Sequence, residues 1–258
     1  MPGIFKHILI TVAVILIVFS CTSNEPTAPS LGQTPDYFPN SDGTNYLFAT
    51  TEFDSTGILR TGTRYVLYDG DTLINGTAYK FQKDSVKMGT EIVERISNFR
   101  KSEIGVFYSI DTSGFAAALP DTLRNRMTVT SEMQTLLLLL AEGSFWQVFK
   151  VTIALQPGIT YAPYRITANY VKEENVLLHL VGRDLNVTAQ KIKYDLEFRL
   201  EPEEPSQKFT AFCWVANNIG IIKIEGNAIV VNTILNGEVS LNDSSNTVTQ
   251  DLIDYNIP

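Results

Sequence analysis

Cysteine and histidine are the residues of this chain that could supply a nucleophile or bind a metal ion, and the sequence contains two of each. His7 lies just before an apolar N-terminal segment and Cys21 just after it, which leaves His179 and Cys213 for the remainder. One histidine and one cysteine cannot supply the four ligands of a structural zinc site. No Gly-x-Ser-x-Gly sequence is present to hold a serine nucleophile beside His179. We therefore predict an ordinary strand histidine at 179 and a buried packing cysteine at 213.

Acidic residues are the other candidates for chemistry. Residues 69–71, Asp-Gly-Asp, begin like a calcium-binding loop, but Leu73 occupies the third ligand position and Lys80 the twelfth. This stretch is therefore interpreted as a hairpin turn. The adjacent glutamates of residues 173–174 and 201–205 are interpreted as solvated turns, because the spacing of glycosidase carboxylates is spatial and cannot be read along one sequence.

The sequence also lacks a phosphate-binding glycine loop and a dinucleotide fingerprint. We accordingly predict no catalytic residue, no metal site and no cofactor.

The apolar segment at the N-terminus indicates export from the cytoplasm. Residues 8–19 are apolar apart from Thr11, and they follow the basic residue Lys6. A membrane-spanning helix needs about 20 residues, whereas the apolar part of a secretory signal needs about 7 to 15. Residues 1–20 are therefore predicted to be a signal peptide, with Ser20 as the small residue before the cleavage point.

Residues 18–21, Val-Phe-Ser-Cys, resemble the lipobox of bacterial lipoproteins, in which a signal peptidase cleaves before a cysteine that carries a diacylglycerol. Cys21 is the residue that matches, while Phe19 departs from the smaller residue usual at its position. The resemblance implies lipidation of Cys21, and two or more acyl chains hold a protein stably at a membrane. An ordinary signal peptide or an uncleaved anchor is the alternative. With Cys21 lipidated, Cys213 has no partner for an internal disulfide.

Lipoprotein sorting suggests where such a protein resides. The residue after Cys21 is not aspartate, which by analogy favours the outer membrane. The predicted location is the bacterial cell envelope, with the body facing either the periplasm or the exterior.

The chain after Cys21 divides into a spacer and a single domain. Residues 21–44 contain four prolines among Ser, Thr, Asn and Gly, which is typical of a flexible spacer. Tyr37 and Phe38, near its end, are large enough to pack on the domain instead. Residues 45–258 are predicted to form one β domain.

Charge excludes one class of partner. Removing residues 1–20 takes away Lys6 and no acid, so the net charge changes from −8 to −9. Nucleic-acid binding depends on basic surfaces that release counterions, so no nucleic-acid partner is expected.

Alternation of apolar and polar residues predicts a mainly β fold. In residues 191–201 every even position is apolar and every odd one charged, the period of a half-buried antiparallel strand. The sequence predicts a large curved antiparallel sheet, either a half-barrel or a sandwich, with little helix. The predicted strands are residues 46–53, 63–68, 78–83, 92–99, 105–110, 148–155, 164–170, 175–181, 191–201, 209–215, 220–225 and 228–234.

Two local features complete this interpretation. The pairs Asp42-Gly43, Asp69-Gly70, Asn75-Gly76 and Asn236-Gly237 are predicted to supply the positive φ angles of tight hairpins. Residues 131–141 end in five leucines, Leu136 to Leu140, which favours a helix over a buried strand.

Several short motifs resemble uncharacterised secreted lipoproteins of Bacteroidetes and related bacteria. They are Tyr-Phe-Pro at residues 37–39 with Gly43 and a following strand, the Gly-x-x-Trp of residues 143–146, the Trp-to-Lys stretch of residues 214–223, and the ending at residues 251–255. Tyr46 departs from this family, which commonly has tryptophan there. The resemblance implies a shared β scaffold and no assigned reaction.

Two functional classes are consistent with these observations. The first is a non-catalytic binding or structural domain, tethered to the membrane through Cys21, for an apolar ligand, an envelope component or a partner protein. The second is a hydrolase that uses carboxylates to cleave envelope glycans.

Overall fold

The computed structural model of the chain describes residues 35–138, 141–199, 201–239 and 245–258. The predicted signal peptide, Cys21 and all of the spacer before Pro35 lie outside the described residues. Asp36–Pro258 form one compact unit.

The fold prediction is confirmed, because the described part of the chain is mainly β with little helix and forms one large antiparallel sheet that does not close. The sheet is single, as in a half-barrel, and not the pair of sheets that makes a sandwich. Its strands are β1 (Asn45–Phe53), β2 (Leu59–Ile74), β3 (Thr77–Met88), β4 (Glu91–Lys101), β5 (Gly105–Ser109), β6 (Met127–Val129), β7 (Glu132–Leu137), β8 (Phe145–Gln156), β9 (Ile159–Leu180), β10 (Arg183–Phe198), β11 (Gln207–Ala216), β12 (Gly220–Asn227) and β13 (Thr247–Asn256).

Most strands pair with their neighbours in sequence, so the sheet is largely built of hairpins. The order is β6-β8-β9-β10-β11-β12-β13-β1-β2-β3-β4-β5-β7. The last strand, β13, pairs with β1 on one side and β12 on the other. The two ends of the sheet approach each other, since Trp146 on β8 donates a hydrogen bond to the backbone oxygen of Gln134 on β7 at 3.1 Å.

Three helices accompany the sheet: α1 (Ser113–Ala118), α2 (Asp121–Arg124) and α3 (Ala228–Asn236). None of the helices within the described residues is long and apolar enough to cross a membrane. Helix α3 lies on the concave face, because it contacts strands from both halves of the sheet. Thr233 is 3.0 Å from the Tyr164 hydroxyl of β9, and the Leu235 oxygen accepts a hydrogen bond from Gln82 of β3 at 2.9 Å.

The prediction of a strand at residues 228–234 is wrong, because this segment forms helix α3. Its run of β-branched residues favours a strand, but the Asn227 side chain accepts a hydrogen bond from the backbone of Ile229 and begins the helix. Gly237 ends it with a φ of 73°. Asn236-Gly237 is thus a helix end and not a hairpin. A helix that is apolar on most of its faces is stable here because the sheet surrounds it.

The prediction of a helix in residues 131–141 is also wrong, because Glu132–Leu137 form strand β7 and pair with β5. Met133 and Thr135 are buried at alternate positions, as a strand requires. Leucine favours helices, but pairing with the exposed edge of β5 outweighs that preference. Leu139 and Leu140 lie outside the described residues.

The predictions of tight hairpin turns are confirmed in part. Asn75-Gly76, with φ angles of 50° and 80°, joins β2 to β3 as predicted. Asp69-Gly70 instead lies within β2, at a register shift between Tyr68 and Asp71, so the predicted hairpin turn at residues 69–71 is a bulge. Asp42-Gly43 forms a turn before β1. Glu173 and Glu174 lie inside β9 and not in a turn, whereas residues 201–204 do form turns and bends.

The core fills the concave face between the sheet and helix α3. Its large members include Tyr164, Phe99, Phe149 and Ile192, each fully buried. Phe38 also belongs to this core, where it packs against Tyr68 and Phe99 with ring centroids 5.5 and 5.3 Å apart. The compact unit therefore includes the aromatic residues at the end of the predicted spacer.

Candidate functional site

A polar cavity of about 340 Å³ lies on the concave face of the sheet, between helix α3 and strands β1 to β4 and β13. The strands contribute inward-facing residues at alternate positions, such as Thr50 and Glu52 of β1. Helix α3 contributes Asn232 and Asn236, which are four residues apart and therefore on one face. The same helix thus separates the apolar core from this polar space.

The floor of the cavity is a buried ion pair. Arg64 of β2 and Asp84 of β3 are 2.7 Å apart, with side-chain exposures of 4% and 1%. Arg64 also donates to the Gln250 side chain at 3.2 Å. Gln82 donates to the second Asp84 oxygen at 2.6 Å and accepts from the Tyr108 hydroxyl. Because a buried charge must be paired and hydrogen-bonded, these contacts make Arg64 a fixed structural element rather than a free ligand-binding group.

Burial explains the protonation of Tyr108 in this network. Desolvation is the largest influence and raises the pKa of its hydroxyl, with the nearby Asp84 carboxylate acting in the same direction. The hydroxyl therefore stays protonated and can donate to Gln82.

Two further ion pairs lie at the rim of the cavity and are much more exposed. Arg60 is 2.9 Å from Glu91, and Arg95 is 3.6 Å from Glu238. Exposed pairs of this kind contribute little, about 0 to 1 kcal/mol. Glu52 is the remaining charged residue of the lining. It is half-buried and accepts a hydrogen bond from Asn246 at 2.7 Å.

One buried polar atom of the lining has no hydrogen-bond partner within the described residues. Thr50 is 5% exposed, and its hydroxyl is unpaired. Leaving a buried hydroxyl unpaired costs about 1 to 3 kcal/mol. Less than 1 Å² of this oxygen is accessible, so it lies behind the cavity wall and is not open to a ligand in the cavity.

Two further cavities, both in contact with Leu235 of helix α3, are very small. Their volumes are about 20 and 10 Å³. Such volumes accommodate about one water molecule. Neither cavity can hold an acyl chain.

The residues that the sequence singled out lie elsewhere. The His179 side chain is 75% exposed on β9 and is 3.0 Å from Asp184 across the β9–β10 hairpin. Cys213 is a free cysteine, 3% exposed within β11, and burial raises the pKa of its thiol to about 12. The Cys213 thiol agrees with the packing role predicted for it, because a reactive thiol needs a lowered pKa and an accessible position. The exposed His179 on β9 agrees with the ordinary strand histidine predicted there.

The described residues contain no group of three or more His, Cys, Asp or Glu residues that could hold a metal ion. Asp69 and Asp71, the start of the candidate calcium loop, are paired with Lys83 at 2.7 Å and Lys80 at 3.2 Å. Glu174 accepts a hydrogen bond from the Trp214 indole, which is the main cause of its lowered pKa, and pairs with Lys172. These acids therefore have structural partners.

The cavity residues were not predicted from the sequence. The sequence does contain a signal for Arg64 and for its ion-pair partner Asp84. Each lies two residues from a buried residue of the same strand, Val66 and Gln82 respectively, and therefore faces the interior. Charged residues at inward positions indicate either a buried network or a site. The sequence contained no such signal for the lining residues that helix α3 supplies, since this segment was predicted to be a strand.

Comparisons with known proteins find distant similarities to solved structures. No family model matches the chain, and no curated protein matches it. A protein from Parabacteroides distasonis described as a lipoprotein is similar over 86% of this chain and 99% of its own, with 11% identity and a TM-score of 0.45. An exported protein with a YmcC-like fold from Bacteroides fragilis has 15% identity, the same coverage and a TM-score of 0.45.

The hypothetical lipoprotein YmcC from Escherichia coli is more distant. It has 11% identity and a TM-score of 0.32, over 81% of this chain and 84% of its own. Neither the identities nor the TM-scores reach the level at which a common function follows.

Proposed function

We propose that this protein is a non-catalytic binding protein of the bacterial cell envelope, tethered through a lipid on Cys21, and that its binding site is the polar cavity on the concave face. The observation that carries the proposal is the cavity itself, about 340 Å³ in volume and lined by charged and amide side chains together with apolar ones such as Val86, Met88 and Val93. Specific ligand sites are concave and contain a few converging polar groups. The two smaller cavities hold about one water molecule each, so an apolar ligand of the kind considered from the sequence would also have to bind in this cavity, whose lining includes Val86, Met88 and Val93.

The proposal of a lipid anchor is supported by residues 8–21 alone, with their short apolar run and terminal cysteine. In a bacterial host, we expect the mature protein to begin at Cys21 with an attached acyl mass, and to partition with membranes. Cys21→Ser should abolish both properties. Cys213→Ala is the matched control and should leave both unchanged. A mature N-terminus at any other residue would contradict the anchor.

The binding proposal is tested by filling the cavity. Asn232 is half-buried in the lining, so Asn232→Trp should occupy the space that a ligand needs. Native mass spectrometry of the wild-type protein from its native host should show a small-molecule adduct, and the variant should lose it. Asn125→Trp, at an exposed position after α2, is the control and should retain the adduct. Equal retention by both variants would refute binding in the cavity.

A hydrolase is the second candidate, because Glu52 and Glu91 line the same cavity. A general acid in a glycosidase is usually buried so that it stays protonated. Glu91 is instead 63% exposed and paired with Arg60. We therefore favour binding. Hydrolysis of envelope glycans by the wild type, lost in both Glu52→Gln and Glu91→Gln, would establish the hydrolase.

A further inference from the structure

Gln250 is a deeply buried side chain whose amide nitrogen is open to the cavity. It lies on β13, is 5% exposed and lines the cavity beside Arg64. Arg64 donates to its amide oxygen at 3.2 Å, and because a guanidinium can only donate, the amide nitrogen points away from Arg64. Within the described residues this nitrogen has no hydrogen-bond partner, yet, unlike the Thr50 hydroxyl, it keeps accessible surface. The cavity therefore contains a free N–H donor at its floor.

Helix α3 supplies a second free amide. Asn232 is half-buried and lines the cavity, whereas the residues on either side of it are fully buried. Its side chain has no hydrogen-bond partner among the residues that the structure describes. A side-chain amide both donates and accepts hydrogen bonds. The two amides can therefore bind a ligand that carries donors and acceptors, and no contact within the protein has to break.

The charged groups of the lining are already matched within the protein. The ion pairs are Arg64 with Asp84, Arg60 with Glu91, and Arg95 with Glu238. Glu52, the remaining charged residue of the lining, lies directly opposite Arg60 in the β1–β2 register. An ionised ligand would have to separate one of these arrangements or leave its own charge unmatched, and both cost free energy. The cavity therefore favours a neutral ligand.

Part of the lining is apolar. Val86 and Val93 lie directly opposite each other on β3 and β4, and Met88 lies two residues further along β3. Residues two apart in a strand point to the same face, so these three side chains share one side of the cavity. A ring that has hydroxyl groups at its edge and C–H groups on its face would contact both the amides and this apolar side.

We propose that the cavity binds a neutral saccharide, with the Gln250 and Asn232 amides as hydrogen-bond partners of its hydroxyl groups. A hydroxyl oxygen accepts a hydrogen bond from the Gln250 amide nitrogen. Another can accept from an arginine and donate to a glutamate of the rim without separating them, because one hydroxyl does both. The inference rests on the proposed function, because it names the ligand class for the same cavity.

The test uses three sugars that differ in charge: D-glucose, D-glucosamine and D-glucuronate. Each is titrated into the full chain at about pH 6, where the amine is protonated and the carboxyl is ionised, in micelles of a detergent without a sugar head group. Binding is followed by NMR shifts of the side-chain amide signals of Gln250 and Asn232. We expect glucose to bind about tenfold more tightly than either charged sugar, because a charged sugar must lose hydration or separate an ion pair.

Variants identify the groups responsible. Gln250→Glu keeps an oxygen for Arg64 but replaces the N–H donor with a carboxylate oxygen, so glucose binding should weaken about tenfold and glucosamine should become the preferred sugar. Asn232→Leu, of similar size, removes the second amide and should weaken glucose binding about threefold. In each variant the remaining side-chain amide reports binding. Gln147→Glu makes the same change at an exposed position on β8, outside the cavity, and should leave all three affinities unchanged.

The outcomes separate this inference from the proposed function. Binding of either charged sugar as tight as that of glucose, or unchanged glucose binding in Gln250→Glu, would overturn the inference and leave the cavity as a binding site. A native adduct that is lost in Asn232→Trp but is not a neutral saccharide would do the same. Failure of all three sugars to shift the amide signals would overturn the inference, and with the adduct also retained in Asn232→Trp, the proposed function as well.

Discussion

At the scale of single residues, the partly buried acid Glu132 shows how a charged side chain stabilises this fold. It lies on β7, where it accepts a hydrogen bond from the Arg100 guanidinium of β4 at 2.6 Å and another from the Tyr79 hydroxyl of β3. The hydrogen bond from Arg100 is the main reason that the pKa of Glu132 is lowered. Arg100 also lies over the Phe107 ring, 4.3 Å from its centroid.

The lowered pKa predicts how stability depends on pH. A carboxyl with a lower pKa in the folded state stabilises that state above its unfolded pKa, and this contribution disappears as pH falls through the folded pKa. Glu132→Gln should therefore reduce the free energy of unfolding by about 1 to 2 kcal/mol at pH 7. The difference from wild type should shrink towards zero well below pH 4. Urea unfolding of both proteins across this range measures it.

The control for this prediction is Glu94→Gln on β4, where the glutamate is exposed. Its free energy of unfolding should follow that of the wild type at every pH. A difference between wild type and Glu132→Gln that stays constant down to acid pH would show that the carboxylate charge is not what stabilises β7.

At the scale of elements, the end of helix α3 fixes its position against β5. Gly237 has a φ of 73°, and a Cβ atom built there would be 2.4 Å from the backbone oxygen of Ser109. Glycine is therefore required both for the left-handed conformation and for the close approach.

Two glycine substitutions separate these requirements. Gly57, in the turn between β1 and β2, has a φ of 79°, and a Cβ atom at this position would have no neighbour within 4 Å among the described residues. Gly57→Ala should cost about 1 kcal/mol of unfolding free energy, from backbone strain alone. Gly237→Ala should cost about 2 to 4 kcal/mol, since α3 must also move away from Ser109. Urea denaturation measures both, and equal losses would contradict the close approach.

The sequence correctly predicted those elements in which the local pattern of apolar and polar residues agrees with the burial of the element in the fold. β10 is the best example, because residues 191–198 alternate strictly and their apolar side faces the core. Most other strands were predicted too short, since pairing with neighbours extends a strand into polar residues that carry no pattern, as in β2. The predicted strands 164–170 and 175–181 are one strand, β9, and β6 and β13 were not predicted.

For β7 and α3 the sequence predicted the wrong type of secondary structure, and the reason is physical. The β7 segment contains strong helix formers and α3 contains β-branched residues, yet each adopts the opposite structure. In both cases tertiary packing outweighs propensities of less than about 1 kcal/mol per residue. The partner that decides each outcome, the edge of β5 or the concave face, is distant in sequence.

At the scale of the whole molecule, curvature of the sheet creates the cavity. Its walls combine residues from β1 to β4 with helix α3 and β13, so positions about 50 and 250 meet there. A single sequence contains no signal for such an encounter. The polar cavity could therefore not be predicted from the sequence.

The proposed architecture assigns separate tasks to separate parts of the chain. The lipid on Cys21 would fix the protein to a membrane, residues after it would act as a spacer, and the compact unit Asp36–Pro258 would present the cavity. Because the core and the floor network hold the cavity walls from both sides, we expect little rearrangement on binding.

The most direct test of the cavity as a binding site is a crystal structure of the protein purified from its native host without a denaturation step. We predict non-protein density in the cavity within hydrogen-bond distance of its polar lining residues, and loss of that density in Asn232→Trp. Ordered water alone in the wild-type cavity, with a ligand bound elsewhere or none present, would contradict the account.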